Sequence, residues 1–196
     1  IPAVIVESEN ETRENIIVFD ESTNSQYRFG MPGTELHEKE WKQCLKAVEE
    51  IHGVEFIIAS GSLPPGVPLD IYAQLAKIAK TRNAKFIVDT SGAADEGVYL
   101  IKPNLGELSS LAGKNELQQE EIIHIARGII AKGKCEVMVV SMGAAGAMLV
   151  TDELAEIVTA PPVLRKSTVG AGDSMVAGIV FYLTLGKSLL EAVQYG

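Results

Sequence analysis

One carboxylate stands where small residues run into an apolar helix. Gly170, Ala171 and Gly172 lead into Asp173, and residues 174–182 continue as S-M-V-A-G-I-V-F-Y. The two glycines let the backbone bend where a Cβ would clash. The amides of residues 170–173 then point from a helix N-terminus into a cleft, which makes an anion site. A carboxylate in that place takes a proton from a hydroxyl while the amides hold charge that develops on a phosphoryl group. The plain alternative is that Asp173 caps a buried helix. A cap needs one residue rather than a two-glycine nest, so the glycines favour the chemical reading.

Four further clusters have the right residue types. Lys102, Pro103, Asn104 and Glu107 open a short helix, with Asn104 and Glu107 three apart and so on one face. An amide and a carboxylate there suit hydrated Mg²⁺, and Lys102 suits a phosphate; taken alone, however, the cluster favours Asn104 as an N-cap with Glu107 as its partner. Gly61-Ser-Leu-Pro-Pro-Gly66 offers Ser62 to a substrate hydroxyl or phosphate, or is simply a stiff turn. Arg13 offers a guanidinium to a phosphate, or is a solvated surface residue. Ser141, Met142, Gly143, Ala144, Ala145 and Gly146 let a nucleotide approach the backbone, or make a tight turn between strands. The P-loop pattern G-x-x-x-x-G-K-[ST], the protein-kinase set and the G-x-S-x-G elbow are all absent from the sequence.

The elements that must position these residues alternate. A strand is predicted over residues 3–6, and two strand-like segments over 15–19 and 26–29 flank a polar turn, which reads as a hairpin. Helical spacing begins at Thr34. Residues 54–59 form a continuous apolar strand of the kind covered on both faces in a parallel sheet. A helix from Pro68, strands at 86–88 and 98–101, helices at 105–111 and 116–132, and a strand at 137–140 follow. Residues 147–150 and 156–159 read as antiparallel strands before the glycine loop. This is an α/β domain with crossover helices, and its ligands bind at the carboxyl ends of the strands.

The 196 residues suffice for one such domain. A net charge of −9 argues against nucleic acid or an anionic membrane as the main partner. Cys44 and Cys135 lack C-x-x-C spacing and read as structural thiols in a reducing compartment. His37, His52 and His124 are scattered and do not read as a metal set. The longest apolar run, residues 175–185, is too short for a membrane span, and a cytoplasmic location is expected. The ends look cut, and a chain longer than 21.0 kDa is expected.

Together the clusters resemble the ribokinase-like sugar kinases of the PfkB family over essentially the whole chain. The segment from Thr168 to Met175 matches that family's C-terminal signature, and Lys102-Pro-Asn104 with Glu107 and the loop from Ser141 to Gly146 follow its order. Thr12-Arg13-Glu-Asn15, Gln26-Tyr-Arg-Phe29, Met31-Pro-Gly33 and Gly61 to Gly66 resemble the minor type of 6-phosphofructokinase. The resemblance implies a three-layer α/β/α domain over 1–196 with a mostly parallel sheet, a small β lid at 13–31, and N- and C-terminal parts missing. The join at residues 91–95 is shorter than the family pattern.

The resemblance also implies an enzyme that phosphorylates fructose 6-phosphate at its C1 hydroxyl with ATP, giving fructose 1,6-bisphosphate. Asp173 would be the base, and Gly170, Ala171 and Gly172 the anion hole. Asn104 and Glu107 would organise Mg²⁺. Lys102, Asn104 and residues Ser141 to Gly146 would line the ATP site, while Arg13 and Ser62 would face the sugar phosphate. The carbonyls of Ser167 and Val169 would hold K⁺ as in some members, and the lid would pair two subunits into a homodimer. The alternatives are a 1-phosphofructokinase or tagatose-6-phosphate kinase, or a non-catalytic sugar- or nucleotide-binding subunit.

Overall fold

The computed structural model describes residues 3–23, 25–90, 97–162 and 169–196. They form two compact units, Ile1–Ile51 with Leu63–Ile71, and His52–Ser62 with Tyr72–Gly196.

In the first unit, β1 (Asn15–Asp20) and β2 (Ser25–Gly30) make an antiparallel two-stranded sheet. The Asp20 carboxylate accepts hydrogen bonds from the Ser22 N–H and the Ser22 and Thr23 hydroxyls. These bonds hold its pKa down at about 2. Pairing places Ile16, Val18, Tyr27 and Phe29 on one face and Ile17 and Phe19 on the other, and all six are exposed. Helix α1 (Glu38–Glu50) starts four residues later than its periodicity predicts. Buried Glu40 sets the boundary, because its carboxylate accepts the N–H groups of His37 and Glu9, each at 2.6 Å. The predicted strand at residues 3–6 is not formed. Val4 and Ile5 are exposed and no described residue pairs with the segment, and an apolar alternation becomes a strand only beside a partner.

The second unit holds a six-stranded sheet in sequential order: β3 (Phe56–Ser60), β4 (Lys85–Asp89), β5 (Val98–Ile101), β6 (Cys135–Ser141), β7 (Ala147–Val150) and β8 (Ala155–Val158). The first four are parallel, and β7 and β8 return antiparallel. This is the predicted alternation, and its physical cause is the apolar runs: every residue of Val137–Val140 and of β7 is buried. Ile87, Leu100, Val137, Val139 and Leu149 point to the face covered by α5 (Ala171–Thr184) and α6 (Leu189–Tyr195), where they pack with Val176, Ile179, Ala192 and Val193. The alternate residues Phe86, Val88, Ile101, Met138, Val140 and Met148 are buried on the opposite face, and α3 (Leu105–Leu111) and α4 (Gln119–Ala131) run against β6. Right-handed crossovers between neighbouring parallel strands place helices on that side. Helix α2 (Ile71–Thr81) joins β3 to β4.

Gly146 shows how tightly β6 turns into β7. Its φ is +95°, and a Cβ there would overlap the carbonyl oxygen of Val158. Among the described residues no helix is long and apolar enough to cross a membrane.

Both cysteines are free thiols, Cys44 exposed on α1 and Cys135 buried at the start of β6. Burial, with Glu136 beside it, pushes the Cys135 thiol up to about 12. At pH 8 only about one Cys135 in ten thousand would then be thiolate, the reactive form. Brief alkylation followed by peptide mapping is expected to find Cys44 modified in the folded protein and Cys135 modified only after denaturation. Rapid modification of Cys135 in the folded protein would contradict its burial.

Candidate active site

The parallel ladder extends past the strand ends, and this brings the polar residues together. The Gly61 N–H donates to the Asp89 carbonyl at 3.1 Å, Lys102 N–H to Val88 at 3.1 Å, and Ser141 N–H to Pro103 at 2.9 Å. A bridge pairs Asn104 with Ser141. The carboxyl ends of β3, β4, β5 and β6 thus form one polar rim, the place where open α/β sheets bind ligands.

Lys102 is buried there. Its Nζ lies 3.0 Å from Asp89 Oδ1, with the two side chains 5% and 13% exposed. A buried ammonium needs such a partner, since an unpaired one carries a large desolvation penalty. The same ammonium explains Gly172. A Cβ at that position would come within 3.2 Å of Lys102 Nζ and 3.8 Å of Asp89 Oδ2. Gly172 leaves room for the ion pair, whereas Gly170 supplies backbone shape as the N-cap of α5 with φ +72°. The sequence reading gave both glycines the same role, and the structure separates them.

Asp173 is the third residue of α5, not its cap. Four other helices carry a glutamate at that position: Glu40, Glu107, Glu121 and Glu191. Each turns back to accept the N-cap N–H in a capping box. Asp173 makes no such bond. Its Oδ1 instead accepts the Ser60 hydroxyl at 3.1 Å, across from the end of β3. The carboxylate is exposed at a helix start whose first N–H groups, those of Ala171, Gly172 and Asp173, have no intrahelical acceptor.

The remaining candidates divide. Asn104 and Glu107 form the capping box: Asn104 Oδ1 accepts the Glu107 N–H at 2.9 Å, and Glu107 Oε2 accepts the Asn104 N–H at 2.8 Å. This leaves Glu107 Oε1 outside the box. In the loop of Ser141, Met142, Gly143, Ala144, Ala145 and Gly146, a short 3₁₀ turn is closed by Met142 N–H donating to the Gly146 carbonyl at 2.8 Å. Ser62 is exposed two residues beyond Ser60. Arg13 belongs to the other unit, where a Cβ on Gly33 would lie 3.8 Å from Arg13 Cδ and 3.4 Å from Pro65, so Arg13 and the second half of the Pro-Pro loop approach each other. Val169 is exposed; Ser167 lies outside the described residues, as does the short join at 91–95.

Sequence reasoning missed Ser60 and the role of Asp89. Their one signal was position, a hydroxyl and a carboxylate each at the end of an apolar strand.

Residues 2–196 match the family model of the pfkB family carbohydrate kinases. The chain belongs to that family. It is 40% identical over 202 residues to the ATP-dependent 6-phosphofructokinase isozyme 2 of Escherichia coli K12, covering 100% of this chain and 65% of that protein. The isozyme 2 enzyme of Mycobacterium tuberculosis H37Rv is 38% identical, with 100% and 59% covered. A 1-phosphofructokinase of Rhodobacter capsulatus is 34% identical, with 93% and 60% covered. The chain therefore spans about three fifths of the length of these relatives. The tetrameric inhibited form of phosphofructokinase-2 from E. coli superposes with a TM-score of 0.89 at 40% identity, over 98% of this chain and 66% of that one. The same enzyme in complex with potassium gives 0.89 at 40%, over 98% and 64%. A ribokinase of Arabidopsis thaliana, at 19% identity and TM-score 0.66 over 92% of this chain and 59% of that one, shares the fold. The fold is ribokinase-like, as the motifs imply.

Asp89→Ala strands the buried Lys102 charge, and a loss of about 3 kcal/mol in unfolding free energy is expected. Lys102→Met in the same molecule should recover most of it. Urea denaturation of the two single variants and the double variant measures the coupling; strictly additive losses would show that the pair does not act as a unit.

Proposed function

We propose that the whole protein of which this chain is part is an ATP-dependent sugar-phosphate kinase acting on fructose 6-phosphate. The observation that carries the proposal is the placement of Asp173. Its carboxylate stands on the first turn of α5, uncommitted to its own helix, where Lys102 lies against Gly172.

The chemistry follows from that placement. Asp173 accepts the proton of the C1 hydroxyl as that oxygen attacks the γ-phosphorus of ATP. The bond from the γ-phosphorus to its bridging oxygen breaks, and ADP leaves with the electron pair, giving fructose 1,6-bisphosphate. The amides of Gly170, Ala171 and Gly172 face the transferring group and hold its charge. Lys102 neutralises phosphate oxygens, supported by Asp89. Asn104 and the loop from Ser141 to Gly146 line the nucleotide, and Arg13 and Ser62 bind the sugar phosphate.

Mg²⁺ would enter with the nucleotide and supply charge neutralisation. It needs one or two carboxylates besides phosphate and water oxygens. Glu107, with one oxygen outside its capping box, fits that requirement. Among the described residues no group of three or more His, Cys, Asp or Glu side chains could form an all-protein metal site. The carbonyls of Val169 and Ser167 are the proposed K⁺ ligands; the E. coli structure in complex with potassium supports the reading.

The β1–β2 hairpin is the proposed lid, excluding water from the reaction. Its apolar residues are exposed on both faces, which supports pairing with the same hairpin of a second subunit in a homodimer. The cytoplasm, where these substrates occur, is the proposed location. The 34% identity to a 1-phosphofructokinase keeps fructose 1-phosphate as the competing substrate. A non-catalytic subunit would have no use for a carboxylate held off its own helix.

ADP release from MgATP by the whole protein, with fructose 6-phosphate, fructose 1-phosphate and tagatose 6-phosphate in parallel, tests the substrate. Highest kcat/KM is expected with fructose 6-phosphate; preference for another sugar would keep the kinase and reassign its acceptor. Asp173→Asn should keep nucleotide binding and lose turnover by a factor of about 10² to 10⁴. Near-normal turnover in that variant would remove Asp173 from the mechanism.

A further inference from the structure

The position of a base matters as much as its presence, and Asp173 has two ways to point. It is the residue of α5 that elsewhere in this protein is a glutamate folded back onto its own helix. A carboxylate folded back would be shared with the N-cap amide and turned away from a substrate in front of the helix. Asp is one methylene shorter than Glu, which weakens the backward reach but does not choose a forward direction.

Ser60 supplies that direction. It ends β3, and its backbone is held against β4: it pairs with Asp89 in the parallel register, and the next N–H, that of Gly61, donates to the Asp89 carbonyl. The Tyr72 hydroxyl donates to the Gly61 carbonyl at 3.4 Å. Gly61 itself has φ +99°, a conformation that turns the chain away immediately after Ser60. From this rigid end the Ser60 hydroxyl donates to Asp173 Oδ1, 113 residues away in sequence. An ionised carboxylate only accepts, so the hydroxyl must be the donor. One carboxylate oxygen is thereby tethered and Oδ2 is left for the proton of the acceptor. Ser60 and Asp89 are register partners, so their side chains leave the sheet on the same face. One orients the base and the other orients Lys102.

We propose that Ser60 is a positioning residue for Asp173, holding its carboxylate off helix α5 and toward the acceptor hydroxyl. The proposal rests on the reading of Asp173 as the base. Removing the tether frees the carboxylate to rotate, which misaligns proton transfer without altering the groups that bind either substrate.

The test is steady-state kinetics of the whole protein as wild type, Ser60→Ala, Ser60→Thr and Asp173→Asn, each checked for an unchanged melting temperature. Ser60→Ala is expected to lower kcat about tenfold while both KM values stay within about twofold, and Ser60→Thr, which keeps the hydroxyl, to restore most of kcat. Wild-type kcat in Ser60→Ala overturns the proposal. So does a raised KM at unchanged kcat, which would make Ser60 a substrate ligand, and so does equal damage in the Ala and Thr variants. Asp173→Asn separates the two levels. If it is inactive while Ser60→Ala is normal, only the tether fails; if it is active, the base assignment fails and the tether with it.

Discussion

The polar rim depends on keeping one ammonium buried. Lys102 sits at the end of β5 with Asp89 at the end of β4 as its partner, 3.0 Å away. The pairing is possible because the ladder runs on from Val88 to the backbone of Lys102. The two strand ends are therefore locked at the spacing an ion pair requires. Helix α5 then begins against this pair, and Gly172 is the residue that lets it come so close. The arrangement opposes ordinary electrostatic preference. A helix N-terminus carries partial positive charge and favours a nearby anion, not a lysine. Asp89 offsets the ammonium, and the Asp173 carboxylate stands on the first turn of the same helix, where its negative charge suits the amide ends.

The same rim shows why net charge says little about a site. Net charge of −9 describes the whole surface and falls off over a Debye length in salt. What an approaching phosphate meets at the strand ends is set by groups within a few ångströms in a partly dry site. There the buried lysine, its Asp89 partner, Asp173 and the oriented amides count for more than distant carboxylates. Composition argues against nucleic acid as the main partner, yet it carries no information about a cleft.

Much of the fold was legible because its signals are local. Apolar runs such as residues 137–140 read as strands and are buried on both faces, and their alternation with helical spacing dictates crossovers; residues 54–59, read the same way, instead give β3 at the end of the described sheet, where Ile58 is 44% exposed. The glycine loop before Asp173 was legible for the same reason, since φ > 0 at Gly170 is a demand of one residue's backbone. The start of α1 was not, because it depends on Glu40 reaching Glu9, thirty-one residues away. Residues 3–6 have the composition of a strand, but pairing is a property of two segments. Ser60 was silent for a similar reason. Nothing in its neighbourhood in sequence marks it; its meaning comes from a hydrogen bond to Asp173, 113 residues away. The family resemblance supplied roles for Lys102, Asn104 and Glu107, whose spacing by itself favoured a helix cap over a metal site.

Asn104 and Glu107 show that such readings need not exclude each other. The capping box uses one oxygen of each side chain on a backbone N–H. A carboxylate has two oxygens, and anchoring one fixes the direction of the other. The cap thereby sets where Glu107 Oε1 points, as the Ser60 hydroxyl sets where Asp173 Oδ2 points. In both cases the local bond removes rotational freedom from a carboxylate. The conformational entropy lost by ordering a carboxylate is thereby spent during folding and not during binding. A rim assembled from the ends of parallel strands suits this use, because each strand end is a fixed point from which a short side chain can hold a neighbour in place.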